Sequence, residues 1–232
     1  MIVVLTAFGF LMFTQNNKTG NKRDSEASGN LPAPHYQPSP EEEAWAQTHL
    51  QDNWNDIANN YPIPSVREAF GHVLDHINSG EVIPNISPTP NAAGQDVQCA
   101  VDINELGRQR MNFYLPILRT LSHTLNREAF QDNLINCMVH ENVHLEKQPI
   151  FSNPRLRFSR EAFARTEAEA WCITAELVLI PMRNAGRGDQ NDLGSKRALS
   201  IFDQVGGDCD DPLWIAFGWE MSPPNPEYNY ME

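Results

Sequence analysis

Residues 137–147 read CMVHENVHLEK, and the two histidines four residues apart constrain this chain more than any other feature. Residues at i and i+4 lie on one face of a helix, so His140 and His144 can present both imidazoles to one cation. Glu141 lies about 100° round from His140. Its carboxylate can therefore reach a metal-bound water without itself being a ligand. Val139, Asn142 and Val143 carry no charge, so nothing on that turn competes with a cation. H-E-x-x-H arises by accident in a chain of this kind roughly once in a hundred cases, so its surroundings must decide.

Asn126 caps the helix that carries the pattern. Phe130, Leu134 and Met138 recur along it to about Lys147, and Pro149 closes it. Two histidines leave a metal short of a third ligand. No histidine follows His144, and Lys147 and Ile150 stand where the metzincin pattern needs Gly and His. Carboxylates remain. The stretch SREAFARTEAEAWCITAELVLIP predicts a helix over about 160–180, capped by Ser159 and ended by Pro181, and offers Glu161, Glu167, Glu169 and Glu176.

Phe163, Ala170, Trp171, Thr174, Leu177 and Val178 form a stripe at helical spacing that should face a core, and Glu167 falls in its middle. A buried carboxylate costs several kcal/mol unless a cation or hydrogen bonds compensate it. A metal on His140 and His144 supplies that compensation, whereas a structural Glu167 would need an arginine partner. Glu169 and Glu176 share a face with Arg165 and Thr166, where Arg165 and Glu169 can pair at i, i+4. Glu167 is thus the expected third ligand and Glu169 the fallback.

At His140, Glu141, His144 and Glu167 the chain resembles the zincin metallopeptidases, in particular the gluzincins, which carry H-E-x-x-H on one helix and a ligand Glu on the next long one. Glu167-Ala168-Glu169-Ala170 followed by Ala175-Glu176-Leu177-Val178-Leu179-Ile180-Pro181 is also similar to the ligand helix of ImmA/IrrE-type peptidases, with Trp171 where those have Asn. The resemblance spans about residues 97–181. It implies an α+β fold, mostly helical, with a small sheet packed on the H-E-x-x-H helix. It also implies one Zn2+ on His140, His144 and Glu167, and Glu141 as the general base of peptide hydrolysis. The substrate would be a peptide or protein added along an edge strand, here Met111 to Leu115. Oxyanion stabilisation would fall to Tyr228, Tyr230, Arg183 or Arg187.

Other features bound the alternatives. The chain has 232 residues, 41% of them hydrophobic, enough for one substantial core. Its formal net charge of -13 repels nucleic acid and anionic membrane surfaces. Residues 1–38 read as an apolar segment and a flexible linker, 39–221 as the metallopeptidase domain and 222–232 as a tail. The run IVVLTAFGFLMF, residues 2–13, is too short to span a bilayer as a helix. It matches either an export or anchoring segment or a buried strand, and without export the chain would be cytoplasmic.

Cys99, Cys137, Cys172 and Cys209 contain no C-x-x-C pair, so two disulfides, with three connectivities open, or free buried thiols are both compatible with the sequence. Helices are expected over about 40–59 and from a Ser65–Glu68 capping box to Ser79. Strands are expected at Cys99–Ile103 and Met111–Leu115, a loop over 81–96 and a helix from Lys196 to Val205. His72-Val73-Leu74-Asp75-His76 reads as a solvated helix face. A di-iron bundle would need a second E-x-x-H, which is missing. The non-enzymatic rival is a zincin-like domain that binds metal or protein without turnover.

Overall fold

Ser39, Pro40 and three consecutive acids start the first helix, α1 (Pro40–Asn60). In the computed structural model, which describes residues 3–5, 38–88, 99–103, 108–147, 160–187 and 193–222, this start is a full capping box. The Ser39 hydroxyl accepts from the Glu42 N–H, and the Glu42 carboxylate accepts from that of Ser39. The box expected at Ser65–Glu68 is not formed. Pro64 sets the helical φ one residue earlier, so α2 (Pro64–Ser79) begins on Ile63 without a side-chain cap. Gly80, with φ of 79°, ends α2 as expected.

The expected loop over 81–96 contains a strand, β2 (Val82–Ser87). Its Pro84 signalled a loop, but a residue without an N–H is tolerated on the outermost strand, and β2 is outermost. With β1 (Val3–Leu5), β3 (Cys99–Ile103) and β4 (Gln109–Tyr114), it forms a four-stranded sheet in the order β1-β3-β4-β2. β2 runs parallel to β4, and β3 runs antiparallel to both β4 and β1. Asp102 and Arg110 face each other in the β3–β4 register and pair through two bonds of 2.8 and 2.6 Å. β4 is therefore interior. It cannot be the edge that receives a substrate strand, contrary to expectation.

Strand β4 stops at Tyr114, one residue short of the expected end, because Leu115 and Pro116 open a helix absent from the expectations, α3 (Leu115–Thr124). Next comes α4 (Arg127–Glu146), capped by the Asn126 side chain as expected. It is buried from Phe130 to Leu145 with few interruptions and packs against β3, α2 and the following long helix, α5 (Arg160–Thr174). The expected Ser159 cap lies outside the described residues.

The helix expected to end at Pro181 instead runs on. Ala175–Leu179 forms a π turn, in which the Ile180 N–H reaches back five residues to the Ala175 carbonyl, and α6 (Ile180–Asn184) carries the chain past the proline. A proline ring clashes with the carbonyl four residues before it in a regular α-helix, and widening the preceding turn displaces that carbonyl. The extra residue also shifts the helical phase. Leu177, assigned to the core stripe, is exposed, while Ala175, Val178 and Leu179 are buried.

Helix α7 (Leu193–Val205) starts three residues before Lys196 and ends at Gly206, φ 69°. The aromatic stretch PLWIAFGW forms α8 (Pro212–Met221). It lies so close on α5 that a Cβ on Gly218 would sit 2.0 Å from the Ala164 carbonyl oxygen. Of the three possible connectivities, the disulfides are Cys99–Cys137, joining β3 to α4, and Cys172–Cys209, joining α5 to the turn before α8. The fold is α+β, mostly helical, with the small sheet against α4. Among the described residues no helix is long and apolar enough to cross a membrane. Of residues 2–13, Val3–Leu5 pair as a strand and the remainder lie outside the described residues, as do most of the linker and the tail.

Candidate metal centre

Helical spacing on α4 places His140 and His144 one turn apart, and both imidazoles are buried. Their Nε2 atoms are 3.1 Å apart. Glu167, 1% exposed on α5, brings Oε1 to 3.3 Å from His144 Nε2 and Oε2 to 3.6 Å from His140 Nε2. Ligands at about 2.1 Å from one ion in tetrahedral geometry are separated by about 3.4 Å, which these distances bracket. The three side chains sequence reasoning selected therefore converge on one point that could hold a metal ion. They form the one such group among the described residues.

Of the buried polar atoms at the centre, Glu167 Oε2 is the unpartnered one that a cation between the Nε2 atoms would satisfy. Among the described residues, His140 Nδ1, His144 Nδ1, Glu141 Oε1 and Glu167 Oε2 are buried without a hydrogen-bond partner. Two imidazole nitrogens facing each other beside a carboxylate need a proton or a metal between them. Burial pushes the Glu167 carboxyl up, but His144 and His140 outweigh it and hold the group at about 2. Burial pulls His140 below its ordinary value. It acts the same way on His144, where the Glu167 charge overcomes it and leaves that group raised. The Glu167 carboxylate is thus kept ionised, and a cation bound here would displace any proton on His144, since only a neutral imidazole offers a lone pair.

Glu141 is fully buried, and burial pushes its carboxyl up to about 8. Its Oε2 accepts the backbone N–H of Val101 at 3.0 Å, whereas Oε1 has no partner among the described residues. Val101 was not among the candidates, because a backbone donor leaves no mark in the residue type. Trp171 did fall on the predicted stripe, four residues after Glu167, but without a role. Its ring lies 4.6 Å from that of His140, between centroids, and packs on Phe217, so it limits how the imidazole can turn. Its indole N–H is buried and finds no partner among the described residues.

The remaining candidates lie elsewhere. The fallback ligand Glu169, its side chain 39% exposed, pairs with Lys147 at 3.5 Å. Arg165 pairs with Glu161 rather than with Glu169. Arg183 pairs with Asp203 at the surface. Arg187 donates to the buried Asp132, which also accepts the Tyr61 hydroxyl, and its guanidinium lies 4.9 Å from the Tyr61 ring. Asp132 precedes His140 by two turns of α4, so Arg187 is held away from the centre. Tyr228 and Tyr230 lie outside the described residues. His72 and Asp75 are exposed, and His76 bonds Glu81 and Glu146, as a solvated face does. No model of a known family matches the chain, and no curated protein or solved structure is detectably similar to it.

Proposed function

We propose that this chain is a zinc-dependent metallopeptidase of the gluzincin type, with one Zn2+ held by Nε2 of His140, Nε2 of His144 and the Glu167 carboxylate. The observation that carries the reading is the convergence of these three buried ligand atoms beside a fourth buried group, Glu141, that is oriented but not coordinated. Two nitrogens and one carboxylate at tetrahedral spacing, leaving one position open, suit a catalytic zinc. When bound, zinc supplies Lewis-acid chemistry, lowering the pKa of a water towards about 7 and polarising a carbonyl.

The protein's own residues do the rest. Val101 holds one oxygen of Glu141, leaving Oε1 free to take a proton from the attacking water and return it to the leaving amine. A dication bound at these ligands would favour the ionised form of Glu141 that this step needs. The substrate is a peptide or protein, and the strong negative charge argues against nucleic acid.

One observation favours the rival, a metal-binding domain without turnover. Both arginines that could have stabilised an oxyanion are engaged elsewhere. Metal analysis of the wild-type chain beside His144→Ala and Glu167→Ala, together with hydrolysis of labelled casein by wild type and Glu141→Gln, separates the two. A peptidase holds one zinc per chain, loses it in both ligand variants and loses activity but not zinc in Glu141→Gln. Zinc without any hydrolysis supports the rival. A purified chain without stoichiometric zinc refutes both.

A further inference from the structure

In an antiparallel ladder the N–H and C=O of one residue point to the same neighbour, and successive residues alternate. Val101 gives its N–H to Glu141, so it faces away from β4, as do Cys99 and Ile103; Ala100 and Asp102 face β4. The side of β3 opposite β4 is therefore where Glu141 sits. That side is taken by β1, with Val3 opposite Ile103, Val4 opposite Asp102 and Leu5 opposite Val101. Among the described residues the ladder reaches Val101, whose N–H Glu141 accepts. An extended peptide delivered to Glu141 along this side would need the same backbone groups of β3, and a strand side accepts one partner at a time. The other border of the sheet, β2, is two strands away from β3.

We infer that β1 is an intramolecular block, in which the chain's own Val3–Leu5 occupies the backbone positions a substrate would use to reach Glu141. The inference rests on the peptidase reading above. Among the described residues three pair with β3, and a ladder of that length is one a substrate strand can compete with.

The test uses the full-length, zinc-loaded chain. Leu5→Pro removes a β1 N–H that faces β3, whereas Val4→Pro removes one that faces away and leaves the ladder intact. Hydrogen exchange at the Ile103 amide and hydrolysis of fluorescently labelled casein are followed in parallel. Leu5→Pro is expected to lose protection at Ile103 and to hydrolyse casein roughly tenfold faster, with Val4→Pro resembling the parent. Deletion of residues 1–5 should reproduce the Leu5→Pro result, which guards against a folding defect caused by proline. Unchanged exchange at Ile103 in both altered chains refutes the strand pairing. Lost protection with unchanged hydrolysis refutes the block and leaves the peptidase reading standing. Zinc-loaded chains that hydrolyse nothing, altered or not, remove the peptidase reading and the block with it.

Discussion

The backbone N–H of Val101 donates to Oε2 of Glu141 at 3.0 Å across 40 residues of sequence, while Oε1 of the same carboxylate has no partner among the described residues. The bond ties β3 to α4 at the one acidic residue of the centre that is not a candidate ligand. It also makes the two oxygens unequal. One is fixed by the sheet, and the other is buried and free to exchange a proton.

Burial pushes the Glu141 carboxyl from 4.5 to about 8, so the folded, metal-free chain favours its protonated form. The contribution of this group to stability is therefore fully present below its unfolded pKa of 4.5 and is lost as pH rises through about 8. After chelation, thermal melting followed from about pH 5 to about pH 9 should show stability falling relative to Glu141→Gln. Glutamine keeps an acceptor for Val101 without the charge. The gap between the two chains should reach a few kcal/mol at the alkaline end. Parallel melting curves for the two would exclude a buried, raised carboxyl.

Glu167 behaves in the opposite sense. His144 and His140 overcome its burial and hold it at about 2, so its contribution is present above 4.5 and is lost as pH falls towards 2. Its replacement also tests ligand identity. Glu167→Gln should weaken zinc by more than the roughly 10–100-fold that loss of a second-shell partner costs, whereas Glu169→Gln should leave it unchanged. Titration against a chromogenic chelator measures both, and a large loss in Glu169→Gln would move the ligand to that residue.

The candidate ligands were legible because helical periodicity is visible in sequence. His140 and His144 share a face, and Glu167 interrupts an apolar stripe that would otherwise be ordinary core. Leu177 failed on the same reasoning because the π turn at Ala175–Leu179 shifts the phase, and no residue type announces that turn. The position of β4 and the strand at Pro84 depend on strand order, which arises from contacts distant in sequence. Arg183 and Arg187 were candidates by charge alone, and Asp203 and Asp132 claim them in space. Val101 acts through its backbone and was invisible to any reading of side chains.

Gly218 fixes how closely α8 approaches the helix that carries Glu167. A Cβ there would meet three backbone atoms of α5, at 2.0, 2.9 and 3.0 Å, and backbone cannot yield as a side chain does. Gly218→Ala should cost at least the roughly 1–3 kcal/mol typical of overpacking, lowering the melting temperature by about 2–4 °C per kcal/mol. Because α5 must shift, zinc affinity should fall too, although Gly218 is not a ligand. A variant that melts and binds zinc like the parent would contradict the close crossing.

The disulfide Cys99–Cys137 holds the same pair of elements as the Val101–Glu141 bond, since Cys99 is two residues before Val101 and Cys137 three before His140. Cys172–Cys209 secures the Glu167 helix in a comparable way. With sequence separations of 38 and 37, each should stabilise the fold by roughly 4 kcal/mol through restriction of the unfolded chain. The two should nevertheless differ in function. Replacing Cys99 and Cys137 by alanine frees β3 to slide on α4, which disturbs the orientation of Glu141 but leaves His140, His144 and Glu167 in place. Casein hydrolysis should fall while zinc content at a permissive temperature stays near one per chain. Replacing Cys172 and Cys209 instead loosens α5, so zinc affinity should fall first. Identical losses of zinc and activity in the two double variants would mean that the disulfides support only global stability.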